Sequence, residues 1–292
     1  MIALGLTQVA PEVTGVIDPL VQAMMVLLPA GYLMIAMLYG MAFAGDAEPH
    51  FSRVRTTLLR LLFLLHLTLF AIHGAEVGGF PDMHNTWMAV SAVAWAVVAL
   101  FVVVTWRRPQ PTVGALVLLN VGVLQAVASM FGPMAPIQGE ASDATTAVHV
   151  VTAAFASASV VLSGIYGFLY LALLRQMRRR TFGTLFHRLP DLTQLARMTR
   201  RAALAGFVML ALGVNAGIGL AHAAGTAGFS YTDPTVLLFL GVWIHFGVIA
   251  FSRQIRGVSA QRASWAAVAG LTVLLGTLFL ALVPGATFHA LR

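Results

Sequence analysis

The chain has 292 residues, of which 59% are hydrophobic and only 9% charged, with no cysteine and a formal net charge of +7. Soluble globular domains carry about a quarter charged residues, so this composition excludes that class. Recurring apolar runs of about 20 residues meet the length a helix needs to cross hydrocarbon, and they exclude a membrane barrel, whose strands alternate. The segment before Pro19 lacks a basic stretch and contains Glu12 and Asp18, so no cleaved signal peptide is expected. Spans are then expected at about 20–43, 57–75, 86–105, 112–131, 147–174, 202–223, 235–252 and 264–284. The fold class that follows is all-α: a polytopic eight-transmembrane-helix bundle, forming one transmembrane domain over residues 1–292. Spans five and six are rich in small residues, as at Ala153–Ala158, Ser163–Gly164 and Ala216–Gly219. Small residues let helix backbones approach closely, so these two spans are expected at the centre.

All 17 basic residues are arginines, and they alternate from one connection to the next. Arg53, Arg55 and Arg60 follow span one, Arg107 and Arg108 span three, the stretch Arg175–Arg201 span five, and Arg253, Arg256 and Arg262 span seven. The other connections hold Glu76, Asp82, Glu140, Asp143 and Asp233, with arginine only at the terminal Arg292. The positive-inside rule puts both termini outside, on the periplasmic face of a bacterial inner membrane. The positive charge is therefore topological and implies no nucleic acid partner. Within the longest basic stretch, Leu192–Met198 is expected to form a short amphipathic helix on the inner surface. Spans one and four look exposed and uniformly apolar, suited to lipid or to a second membrane protein.

The spans carry no Asp, Glu or Arg at mid-depth, yet histidines sit there, and an intramembrane polar residue marks a functional site by default. His66 falls near the middle of span two and His245 near the middle of span seven. Two imidazoles at matching depth on different helices could clamp a haem b, since imidazole readily supplies axial bonds to iron. Alternatively, each is a buried histidine bonded to a neighbouring group, for instance near Thr68 or Trp243. On the outer face, His73, His84, His149, His222 and His289 gather, against His50 and His187 on the other face. With no cysteine, iron–sulfur clusters, thiolate metal sites and covalent haem attachment to this chain are excluded, so any haem is non-covalent.

These placed residues resemble the cytochrome c assembly, haem-handling membrane proteins of the CcsA type, from about residue 60 onward. Gly78-Gly79-Phe80-Pro81-Asp82-Met83-His84-Asn85 resembles the family's outer loop. His149 heads a helix rich in small residues, Leu189-Pro190-Asp191-Leu192 is similar to the family's L-P-x-L, and His289 follows the last span. The resemblance implies that His149 and His289 are axial ligands to a haem displayed on the outer face for attachment to apocytochrome c. The family's tryptophan-rich segment before W-D-P corresponds here to Ala221–Pro234, which keeps Asp233-Pro234 and the aromatic Phe229 and Tyr231 but has no tryptophan. The resemblance thus implies haem contacts from Tyr231 and Asp233 without the full aromatic cradle. The family's L-H-x-R aligns with Ala250-Phe251-Ser252-Arg253, where the imidazole is missing; His245 lies earlier in the helix.

Three functions are compatible with these residues. The first is haem handling or presentation in cytochrome c biogenesis, in which axial ligation positions the iron and controls its redox state. Its partners would be a second membrane protein and a periplasmic apocytochrome. The second is a b-type cytochrome subunit carrying electrons from a quinone to a periplasmic c-type cytochrome, with one or two haems. There, His66 and His245 would hold an inner haem and a pair from His73, His149, His222 and His289 an outer one. The third is a haem-free regulator or assembly factor on the same fold, of the kind linked to control of tetrapyrrole synthesis. Transport is weaker, because the spans offer only Asn120, Gln125 and Asn215 in place of carboxylates or broken helices.

Overall fold

The computed structural model describes residues 19–45, 49–76, 86–105, 111–132, 144–181, 183–223 and 234–281. The described residues form α1 (Pro19–Ala44), α2 (Pro49–Glu76), α3 (Thr86–Thr105), α4 (Pro111–Phe131), α5 (Ala144–Arg179), α6 (Thr184–Arg188), α7 (Leu192–Ala223), α8 (Pro234–Ala250) and α9 (Ala260–Ala281), with no strand among them. Four helices open on a proline, where the ring presets a helical φ and the missing N–H has no intrahelical acceptor. Among the described residues, six helices are long and apolar enough to cross a membrane: residues 19–44, 53–75, 87–105, 113–131, 145–179 and 192–220. A shorter apolar helix covers Val236–Ala250. The chain is a multi-pass helical membrane protein.

The arginine-rich end of the bundle differs from expectation. α5 has 36 residues and α7 has 32, about 54 and 48 Å at 1.5 Å per residue, against about 30 Å of hydrocarbon. Their excess length carries Arg175, Arg178 and Arg179 on α5 and Arg197, Arg200 and Arg201 on α7. No separate surface helix exists at Leu192–Met198; these residues are the first two turns of α7. The Asp191 carboxylate accepts a 2.7 Å bond from the Gln194 N–H, capping the orphan donors of that helix start. Leu189 and Leu195 on either side of it are buried. The Leu189–Leu192 motif is thus a helix-start signal, and α7 runs unbroken from it.

Packing is dominated by α5 against α7 and α1 against α4, with α3 joining the two halves through α4 and α5. α9 lies on α5, α8 on α7, and α2 on α1. Spans one and four are open on one face only: Val26 and Met37 on α1 and Val123 and Met130 on α4 are exposed, and the opposite faces meet. Gly114 takes the Tyr39 ring against its backbone and Gly122 takes Leu33, so α1 sits tightly in a groove of α4. On the other side, a side chain at Gly167 would lie 2.8 Å from the Ser264 carbonyl oxygen, so only glycine admits α9 there. Of spans five and six, both expected at the centre, only α5 lies there, against α3, α7 and α9; α7 packs on α5 and α8 and is the least buried of the six spans.

Candidate functional site

The histidines occupy distinct environments. His66 on α2 is fully buried and bonded through both ring nitrogens. Tyr32 Oη on α1 lies 3.1 Å from Nδ1, and Ser91 Oγ on α3 lies 2.9 Å from Nε2. Ser91 donates its proton to Gln125 Oε1 on α4 at 2.9 Å, and Gln125 Nε2 donates to Ser129 Oγ at 3.2 Å. A hydroxyl has one proton, so Ser91 must accept from His66 Nε2–H. His66 Nδ1 then accepts from Tyr32. The result is a one-directional chain of donors across four helices, with Tyr32, His66, Ser91 and Gln125 all at most 3% exposed. Phe70 stacks on the imidazole at 5.1 Å between centroids. Such a chain satisfies polar groups that would each cost several kcal/mol unpaired in hydrocarbon.

The expected clamp of a haem by His66 and His245 is not formed. His66 keeps neither nitrogen for iron, because Tyr32 and Ser91 occupy them. His245 is on α8, where Nε2 lies 3.1 Å from the Ala266 carbonyl oxygen and against Gly270 of α9. In the packing order α2–α3–α5–α9–α8, three helices stand between the helices bearing the pair. Thr68, considered as a partner of His66, bonds instead to its own backbone at Leu65. The hydrogen-bonded alternative holds for His66, with partners 34 and 25 positions away in sequence.

His149 lies at the arginine-poor end of α5 and is half-buried. Its Nδ1–H donates a 2.7 Å bond to the Gly213 carbonyl of α7. The ring lies in a slot that α7 leaves by carrying glycine at both 213 and 217. A Cβ on Gly217 would come 3.0 Å from the imidazole Cε1 and 3.1 Å from Nδ1. Thr152, one turn along α5, fills the same slot beside Gly213 and bonds its hydroxyl to the Val148 carbonyl at 2.6 Å. The backbone bond fixes the tautomer, so Nε2 carries the lone pair. An imidazole with one nitrogen anchored on a carbonyl and the other available as a donor is how metal-ligating histidines are oriented.

Among the described residues, the other predicted ones are not gathered around it. His222 is exposed, with Nδ1 2.8 Å from the Ile218 carbonyl of its own helix. It lies about 160° around α7 from the glycine pair at 100° per residue, on the opposite side from His149. His73 is half-buried at the end of α2, and His187 is exposed beside Phe186. His289, Tyr231, Asp233 and His84 lie outside the described residues. Among the described residues no group of three or more His, Asp or Glu converges as a bare-metal site would. The reading by depth missed Tyr32, Ser91, Gly213 and Gly217. The G-x-x-x-G spacing of the last two was legible as a close-approach signal; nothing in the sequence singled out Tyr32 or Ser91.

Fold and site together define a helical membrane protein with one imidazole oriented by a neighbouring helix backbone and a second sealed in a polar network. The chain matches the family model described as cytochrome C assembly protein over residues 56–287, and it belongs to that family. It is also similar to protein HemX of Brevibacillus brevis, 28% identical over 234 residues, which cover 78% of this chain and 84% of that protein.

Proposed function

We propose that this protein handles haem during cytochrome c biogenesis, binding one non-covalent haem b at the arginine-poor end through His149. The carrying observation is the His149 imidazole, anchored to the Gly213 carbonyl with Nε2 left as the donor nitrogen. His289, by the family pattern, is the second axial ligand, with Tyr231 and Asp233 nearby. The bundle crosses the membrane eight times as a single domain, α8 and α9 adding two spans, so that this end and both termini face the periplasm of a bacterial inner membrane. Bound haem would supply vinyl groups for thioether formation with an apocytochrome. The chain's own contribution is to hold the iron by axial imidazole and to set its redox state. A second membrane protein is the expected partner.

Permanent electron transfer through two haems is the weaker reading, because it needs His66 as a ligand and His66 is committed to Tyr32 and Ser91. The visible spectrum of detergent-purified protein after haem-replete expression tests the proposal. His149→Ala should remove most of the Soret absorbance, while His66→Ala, checked for an unchanged elution profile, should retain it. A Soret band unaffected by His149→Ala would overturn the assignment. Absence of haem from the parent protein would leave the haem-free regulator.

A further inference from the structure

The arginine-rich end holds one cluster of like charges that the haem site does not use. Arg197 and Arg200 are one turn apart on α7. α8 is pinned to the same helix by a Phe207–Trp243 stack at 4.5 Å, a Phe207–Phe251 edge contact at 5.6 Å, and Phe246 seated over Gly206. This docking carries Arg253, two residues beyond Phe251, into electrostatic range of Arg200, with Arg197 on the same centre. Like charges within that range repel one another, and a bound anion relieves the repulsion.

Among the described residues the acids are Glu76, which ends α2, and Asp191, which is committed to capping α7. Nearby arginines are engaged differently. Arg178 donates to Gln261 Oε1, Arg188 to the Ala42 carbonyl and Arg262 to the Gly257 carbonyl. The Ser252 hydroxyl, adjoining Arg253, is buried without a hydrogen-bond partner.

We infer that Arg197, Arg200 and Arg253 form a binding site for the phosphodiester headgroup of an anionic glycerophospholipid. Charge complementarity specifies the anion, and the surroundings specify lipid. Leu204, one turn beyond Arg200, is 41% exposed, Phe251 40% and Ile255 39%, and Trp265 at the same end of α9 is 58% exposed. The cluster thus borders apolar side chains that face acyl chains, where an exposed tryptophan marks the interface. A small soluble anion would gain nothing from that border and would compete with salt. A lipid is held at this level by its tails while guanidiniums take its phosphate oxygens bidentately.

The test uses the full-length protein in neutral detergent, titrated with phosphatidylglycerol, phosphatidylcholine or inorganic phosphate at matched ionic strength. Each arginine near an anionic headgroup corresponds to about a fivefold factor, so R197Q/R200Q/R253Q should bind phosphatidylglycerol about a hundredfold more weakly. The control R175Q/R179Q/R180Q removes the same charge from the end of α5 and should bind nearly as the parent does. Equal losses in the two triple variants, or no preference for phosphatidylglycerol over phosphatidylcholine, would overturn the site. Equal binding of inorganic phosphate would overturn the lipid as its occupant. If the triple variant fails to fold, R200Q alone should show about a fivefold loss, and unchanged binding would equally overturn the proposal.

Discussion

The His149 slot makes a graded prediction. A Cβ at residue 217 would lie 3.0 Å from the imidazole Cε1, closer than ordinary van der Waals contact. Gly217→Ala therefore pushes the ring back by a few tenths of an ångström. The 2.7 Å bond to the Gly213 carbonyl lengthens but stays within the range of a hydrogen bond, so haem binding should fall only slightly. Gly217→Leu has no such escape, because its branched end occupies the ring's position. The imidazole then loses the bond that fixes its tautomer and direction, and losing such an outer-shell partner costs about 10- to 100-fold in affinity. Gly219, two residues on, has nothing within 4 Å of its added Cβ, so Gly219→Leu is the matched control. Haem titration followed by Soret absorbance, with circular dichroism to verify helix content, reads the difference. If Gly217→Leu binds haem as Gly219→Leu does, the slot does not orient His149 for iron and the reasoning fails.

Three further outcomes concern stability. His66→Leu leaves the Tyr32 hydroxyl only its long 3.5 Å bond to the Leu62 carbonyl, removes the donor to Ser91, and should destabilise by about 1–3 kcal/mol. With Tyr32→Phe, a double-mutant cycle should give a coupling of about 0.6–1.7 kcal/mol, typical of hydrogen bonds between membrane helices; strictly additive losses in denaturant titration would contradict the network. Gly167→Ala places a methyl 2.8 Å from the backbone oxygen of Ser264, which cannot move aside. It should lower stability by about 1–3 kcal/mol, whereas Gly276→Ala, with open space around it, should leave the thermal midpoint unchanged. Asp191→Ala should cost about 1 kcal/mol by removing the α7 cap, with Asp191→Asn retaining most of the stability; equal melting of both variants would count against capping.

Membrane class, helix positions and the alternation of basic connections were legible in the chain, because each depends on local composition alone. Burying a charge in hydrocarbon is costly, so arginines fall between spans, and prolines at 19, 49, 111 and 234 mark helix starts through their fixed φ. The placing of His66 inside a span was legible for the same reason; the cap that Asp191 forms at the start of a long α7 was not, its stretch reading as a short surface helix. His149 was singled out by its position at a helix end, and the structure adds the anchor that makes such a residue a directed donor.

Which face of each span meets protein could be learned only from the tertiary structure. In water, an apolar stripe on a polar helix reveals the buried side; in lipid both sides are apolar and that contrast vanishes. Hence α1 and α4 read as apolar all round, and only the structure shows which face of each is open and which is joined at Gly114 and Gly122. Hence too His66 and His245, matched in depth, proved to belong to separate parts of the bundle. Sequence fixes how deep a side chain sits, through the cost of moving it along the membrane normal. Its partners are set by rotation about the helix axis and by neighbour order, which glycine contacts and hydrogen bonds decide only once the helices have assembled.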